Sequence, residues 1–95
     1  MISEKVGNGL CLVDFYTDWC VPCKVLSETL SKIKEKYGDK LDLVKINAEE
    51  EPELSQECHV LSVPSMFIYK NGELKESLSG NVPQYKLEES LQKFI

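Results

Sequence analysis

Around Cys20 the hydrophobic pattern of the chain changes period. Residues Cys11 to Thr17 form a short, mostly apolar run of strand-forming residues, with Asp14 as its one odd member. Beyond Cys20, the residues Leu26, Leu30, Ile33 and Tyr37 recur at helical spacing, with Lys and Glu on the other faces. Pro22 suits the first turn of that helix and Gly38 its stop, so the spacing predicts a helix from Val21 or Pro22 to Tyr37. Leu41 to Asn47 then reads as a second strand. Strand, helix and strand in this order make a βαβ unit, whose two strands run parallel and are joined by a right-handed crossover.

The second half follows a different plan. A short helix is expected from Pro52 to about Cys58. Ser65 to Lys70 and Glu73 to Ser79 flank Asn71-Gly72, a pair that supplies the positive φ angles of a two-residue type I′ turn and so predicts a hairpin. Pro83 to Ile95 reads as a closing amphipathic helix through Leu87, Leu91 and Phe94. Ser3 to Val6 has room for one helical turn, ended by Gly7-Asn8-Gly9. The expected order is β-α-β-α-β-β-α, an α/β fold with a mixed four-stranded sheet. With 95 residues and no repeat or linker, one domain spanning 1–95 is expected.

Charge narrows the function. A net charge of -5, with Lys scattered among carboxylates, argues against a nucleic-acid partner, which needs clustered cations. No stretch approaches the roughly 20 apolar residues that span a bilayer. Met1-Ile2-Ser3-Glu4-Lys5 lacks the basic-then-apolar layout of a secretion signal, so a cytoplasmic chain away from membranes is expected. The four cysteines then call for metal binding or redox chemistry rather than a secreted disulfide framework.

Cys20 stands where the first strand gives way to the helix, and Cys23 lies three residues later. Positions i and i+3 of a helical turn share a face at a separation a disulfide tolerates. The unpaired N–H groups and positive dipole end there favour a thiolate, which makes Cys20 the nucleophile and Cys23 the resolving thiol. A zinc half-site is the alternative. It would need a second ligand pair, and only Cys58 with His59, or Cys11, could supply one. Cys11 reads better as a buried apolar group, whereas Cys58 reads equally as buried or as an accessory thiol. Asp14, in a strand expected to be buried, is costly when ionised; its pKa should rise unless it is paired, which suits a general base, the alternative being a strand carboxyl that finds backbone partners.

The run Val13-Asp14-Phe15-Tyr16, then Trp19-Cys20-Val21-Pro22-Cys23-Lys24, Val63-Pro64 and Lys70-Asn71-Gly72-Glu73, resembles the thioredoxin family over nearly the whole chain. The resemblance implies the thioredoxin fold and a protein thiol-disulfide oxidoreductase that needs no bound cofactor. It implies that Asp14 assists deprotonation of Cys23 and that Lys45 tunes Asp14. It further implies a cis Val63–Pro64 bond beside the dithiol, where an extended substrate would pair with the Val63 backbone. Trp19, Val21, Pro22, Val63 and Pro64 would then form the surface that meets disulfide-containing client proteins. The implied recycling partner is an NADPH-dependent thioredoxin reductase, and a monomer is expected. Three departures stand out. Val21 replaces the family's usual Gly, and Glu28 stands where many members have a kinking Pro. The segment before Cys11 is too short for the usual additional first strand and its helix, which would leave Leu41 to Asn47 as a sheet edge.

Overall fold

The computed structural model describes residues 1–95. It contains helix α1 (Ser3–Val6), strand β1 (Leu10–Tyr16), helix α2 (Val21–Tyr37), strand β2 (Asp42–Asn47) and helix α3 (Pro52–Glu57), then strands β3 (Ser65–Lys70) and β4 (Glu73–Ser79) and helix α4 (Gln84–Gln92). The four strands form one sheet in the order β2-β1-β3-β4. The β1/β2 pair is parallel, while β1/β3 and β3/β4 are antiparallel. This is the mixed sheet and the element order the sequence predicts, with β2 as an edge.

Alternation along β1 divides the apolar residues between the two faces of the sheet. Leu10 and Leu12 face Leu26, Leu30 and Ile33 of α2 and Leu87 and Leu91 of α4. Cys11, Val13 and Phe15 face the other way, into a second cluster with Val6, Ile46 and Leu54. Asp14 shares parity with Leu10 and Leu12 and therefore lies on the α2 side.

The helix that carries the dithiol is tied at both ends. Cys20 adopts an extended conformation as its N-cap, and its sulfur accepts from the Cys23 N–H at 3.2 Å. At the other end Gly38 takes φ 53°, a left-handed value that glycine adopts without a Cβ clash. The Lys34 ammonium donates to the carbonyls of Gly38 (2.9 Å) and Leu41 (2.6 Å), tying the last turn of the helix to the segment that leads into β2.

Element ends differ slightly from expectation. The first strand runs from Leu10 to Tyr16, because the Thr17 carbonyl already turns to accept from the Cys20 N–H. The last helix spans only Gln84–Gln92, with Pro83 extended ahead of it. The second strand begins at Asp42, since Leu41 closes a 3₁₀ turn over Gly38–Lys40. No helix is long and apolar enough to cross a membrane.

Candidate active site

The site forms where β1 ends and α2 begins. Cys20 and Cys23 are joined in a disulfide with their Cα atoms 5.2 Å apart, as the helical i, i+3 spacing allows. Both cysteines are buried. Trp19 beside them is exposed, and its indole Nε1 donates to Glu49 at 3.1 Å. Val21 is likewise exposed, so the two residues on either side of Cys20 present apolar surface around a recessed sulfur. No group of three or more His, Cys, Asp or Glu side chains is placed to hold a metal ion.

A small cavity runs from the dithiol to the sheet. Asp14 and Cys23 line it together with Thr17, Ser27 and Lys45. Asp14 is only 1% exposed and its Oδ1 has no hydrogen-bond partner, which is also true of the Thr17 hydroxyl. Burial pushes the Asp14 carboxyl up from 3.8 to about 6, opposed in part by the positive charge of Lys45. Lys45 is the parallel-strand neighbour of Asp14, which places both side chains on one face of the sheet. Its ammonium nevertheless donates to the Ser27 hydroxyl on α2, and it makes no ion pair with Asp14.

On the other side of Trp19, the Val63–Pro64 peptide bond is cis. Val63 lies with Trp19, Thr17, Val60 and Leu61 along a shallow apolar groove. Leu61, almost fully exposed at 96%, projects from its rim. The structure thus brings together two groups of the residues singled out in the sequence: Asp14, Cys23 and Lys45 around the cavity, and Trp19 and Val63 along the groove. Thr17, Ser27, Glu49 and Leu61 join them without having been singled out. Only the position of Thr17, three residues ahead of Cys20, could have signalled a role.

The remaining thiols stand apart. Cys11 is fully buried in the second core cluster and burial raises its pKa to about 11, so it is an inert packing group. Cys58 is half-buried and packs against the same cluster; burial raises its thiol too. His59 is an exposed loop residue with a left-handed φ of 57°.

A recessed i, i+3 disulfide at a helix N-terminus, on a mixed sheet beside a cis-proline loop, defines a dithiol-disulfide oxidoreductase. The thioredoxin family model matches residues 2–93. The chain is 35% identical over 93 residues to thioredoxin from Listeria monocytogenes, covering 98% of this chain and 90% of that protein. It is 34% identical to thioredoxin from Bacillus subtilis, with 98% and 89% covered. It is 38% identical to thioredoxin from Porphyra purpurea, with 98% and 88% covered. Among solved structures it resembles a chain from work on the structural basis of the thiol resolving mechanism in yeast mitochondrial 1-Cys peroxiredoxin via glutathione/thioredoxin systems. That likeness has a TM-score of 0.84 at 29% identity and covers 90% of this chain and 79% of the other. The chain belongs to the thioredoxin family, and it is a thiol-disulfide oxidoreductase whose reduced Cys20/Cys23 pair reduces protein disulfides through a mixed disulfide.

Proposed function

We propose that residues 1–95 act as one thioredoxin domain in which Cys20 is the attacking thiol, Cys23 the resolving thiol and Asp14 the base that serves Cys23. The observation that carries this reading is the buried Asp14 carboxyl, with an unpartnered oxygen, in the cavity it shares with Cys23. The Cys20 thiolate, favoured by the helix N-terminus, attacks one sulfur of a substrate disulfide and expels the other as a thiolate. Cys23 passes its proton to the Asp14 carboxylate and attacks the Cys20 sulfur. The second substrate thiolate leaves, and two electrons have moved from the dithiol to the client.

A carboxyl near 6 is well matched to this task, because it is ionised at neutral pH yet basic enough to accept a thiol proton. Lys45 limits the rise by its charge. Trp19, Val21, Pro22, Val63 and Pro64 form the client surface, where the Val63 backbone pairs with an extended strand of the client and asks little of its sequence. The clients are disulfide-containing proteins, and an NADPH-dependent thioredoxin reductase returns the electrons. The protein works as a cytoplasmic monomer.

The test is a pair of variants. Cys23→Ser should accumulate mixed disulfides through Cys20, whereas Asp14→Asn should still form the mixed disulfide but resolve it about 10²-fold or more slowly at pH 7, the usual share of a general base. Trp19, the only tryptophan, reports both steps by its emission. Resolution in Asp14→Asn at the wild-type rate and pH profile would remove Asp14 from the mechanism.

A further inference from the structure

We propose that Ser27 is a positioning residue that holds the Lys45 ammonium on helix α2, out of contact with the Asp14 carboxylate. The proposal deepens the general-base reading of Asp14 and rests on it for its functional meaning.

Three geometric observations converge. Lys45 and Asp14 are paired across parallel strands, so an extended Lys45 side chain lies beside the carboxyl. The Asp14 Oδ1 is buried and unpartnered, the arrangement in which an approaching ammonium would gain most. Yet the ammonium donates to the Ser27 Oγ instead. Ser27 follows Cys23 by four residues on α2, so its hydroxyl lies one turn below the resolving thiol on the same helix face. The half-buried hydroxyl thus faces the cavity from the helix side, opposite the strand that carries Asp14.

The consequence is a division of labour over one cation. From the Ser27 position Lys45 acts on Asp14 through space, lowering the cost of its charge without forming a contact pair. A contact pair would bring the carboxyl down by about one to three pH units, into the range where it is a poor acceptor for a thiol proton. The other charged or titratable groups around this cavity are Lys24 and Cys23 on α2, Tyr16 at the end of β1 and Asp18 in the following loop. Lys24 and Asp18 are exposed, and neither they nor Tyr16 enter among the causes of the Asp14 displacement. Lys45 is therefore the cation whose position decides the carboxyl's state, and Ser27 decides that position.

The decisive measurement is a ¹³C NMR titration of the Asp14 carboxyl in the oxidised protein, where the disulfide removes both active-site thiols from the titration. Ser27→Ala replaces a helix residue by a better helix former, so the fold is expected to persist. Its Asp14 midpoint should fall by about one pH unit or more as Lys45 closes on the carboxylate. Ser27→Thr, which keeps the hydroxyl, should titrate like the wild type. Adding Lys45→Met to Ser27→Ala should abolish the fall and raise the midpoint above that of the wild type. An unchanged or raised midpoint in Ser27→Ala, or a fall that persists in the double variant, would overturn the proposal. Resolution kinetics of Asp14→Asn separate this from the reading beneath it. A wild-type rate there removes the base role while the Ser27 effect on the titration still stands. A slowed rate with no Ser27 effect removes the Ser27 role alone.

Discussion

Asp14 is the residue on which sequence and structure bear most directly, and its burial has a thermodynamic signature separate from catalysis. The carboxyl titrates near 6 in the folded chain and at the ordinary 3.8 when unfolded. Below the lower value both states are protonated and no penalty exists. As pH rises from there through the upper value, the unfolded state ionises first and the folded state is progressively disfavoured. A displacement of that size corresponds to about 3 kcal/mol at most, lost as pH climbs from about 4 to beyond 6. Asp14→Asn removes the ionisation. Urea unfolding of the oxidised protein should therefore show the variant gaining up to about 3 kcal/mol on the wild type between pH 4 and pH 8. An equal difference between the two proteins at both pH values would show that the carboxyl is not desolvated. The carboxyl was legible in the sequence because a charge stands out in an apolar strand. Ser27 was not legible: a serine on a helix is unremarkable until the fold places it across a cavity from Lys45.

At the level of elements, local chemistry made the hairpin the clearest prediction. Asn71 and Gly72 adopt φ of 54° and 81°, the two positive angles of a type I′ turn, and Lys70 pairs with Glu73 across it. A Cβ added at Gly72 would meet only the Gly7 carbonyl oxygen at 3.9 Å, an ordinary contact. Replacement by alanine is therefore opposed by the backbone angle alone. Gly72→Ala should cost about 1 to 2 kcal/mol in urea unfolding and leave disulfide reduction at the wild-type rate, because the turn is remote from the dithiol. A loss of activity would mean that the hairpin transmits strain to the cis-proline end of β3. The irregularity between Ile68 and Tyr69 in the β3/β4 pairing escaped sequence reading. Both strands alternate well enough to pair without it, and only the twist of the assembled sheet calls for an extra residue. The ends of β1 and α4 escaped for a similar reason. They are set by where backbone hydrogen bonds turn, as at Thr17, and not by where apolar residues stop.

The dithiol is held by the whole molecule, which ties its chemistry to folding. Cys23 rides on a helix whose Leu26, Leu30 and Ile33 are fully buried against the sheet and α4, so the 5.2 Å separation of the two Cα atoms is fixed by the core. Closing the disulfide in the folded chain therefore orders almost nothing new. In the unfolded chain it must restrict a flexible four-residue loop, at an entropic cost of about 2 kcal/mol. Linkage requires that the oxidised protein be more stable than the reduced one by the same amount. It also requires that the folded couple be about 40 mV more reducing than the unfolded chain, the direction a protein-disulfide reductase needs. Urea unfolding with and without dithiothreitol should give that difference of about 2 kcal/mol, and titration of Trp19 emission against dithiothreitol ratios, in buffer and in denaturant, should give the matching gap in potential. Leu30→Ala supplies the control. It should cost about 2 to 5 kcal/mol in both redox states, and if loosening the helix lets the cysteines drift, the gap between the two states should narrow. A reduced protein as stable as the oxidised one would mean that the core does not hold the cysteines poised, and the folded couple would then sit at the potential of the unfolded chain.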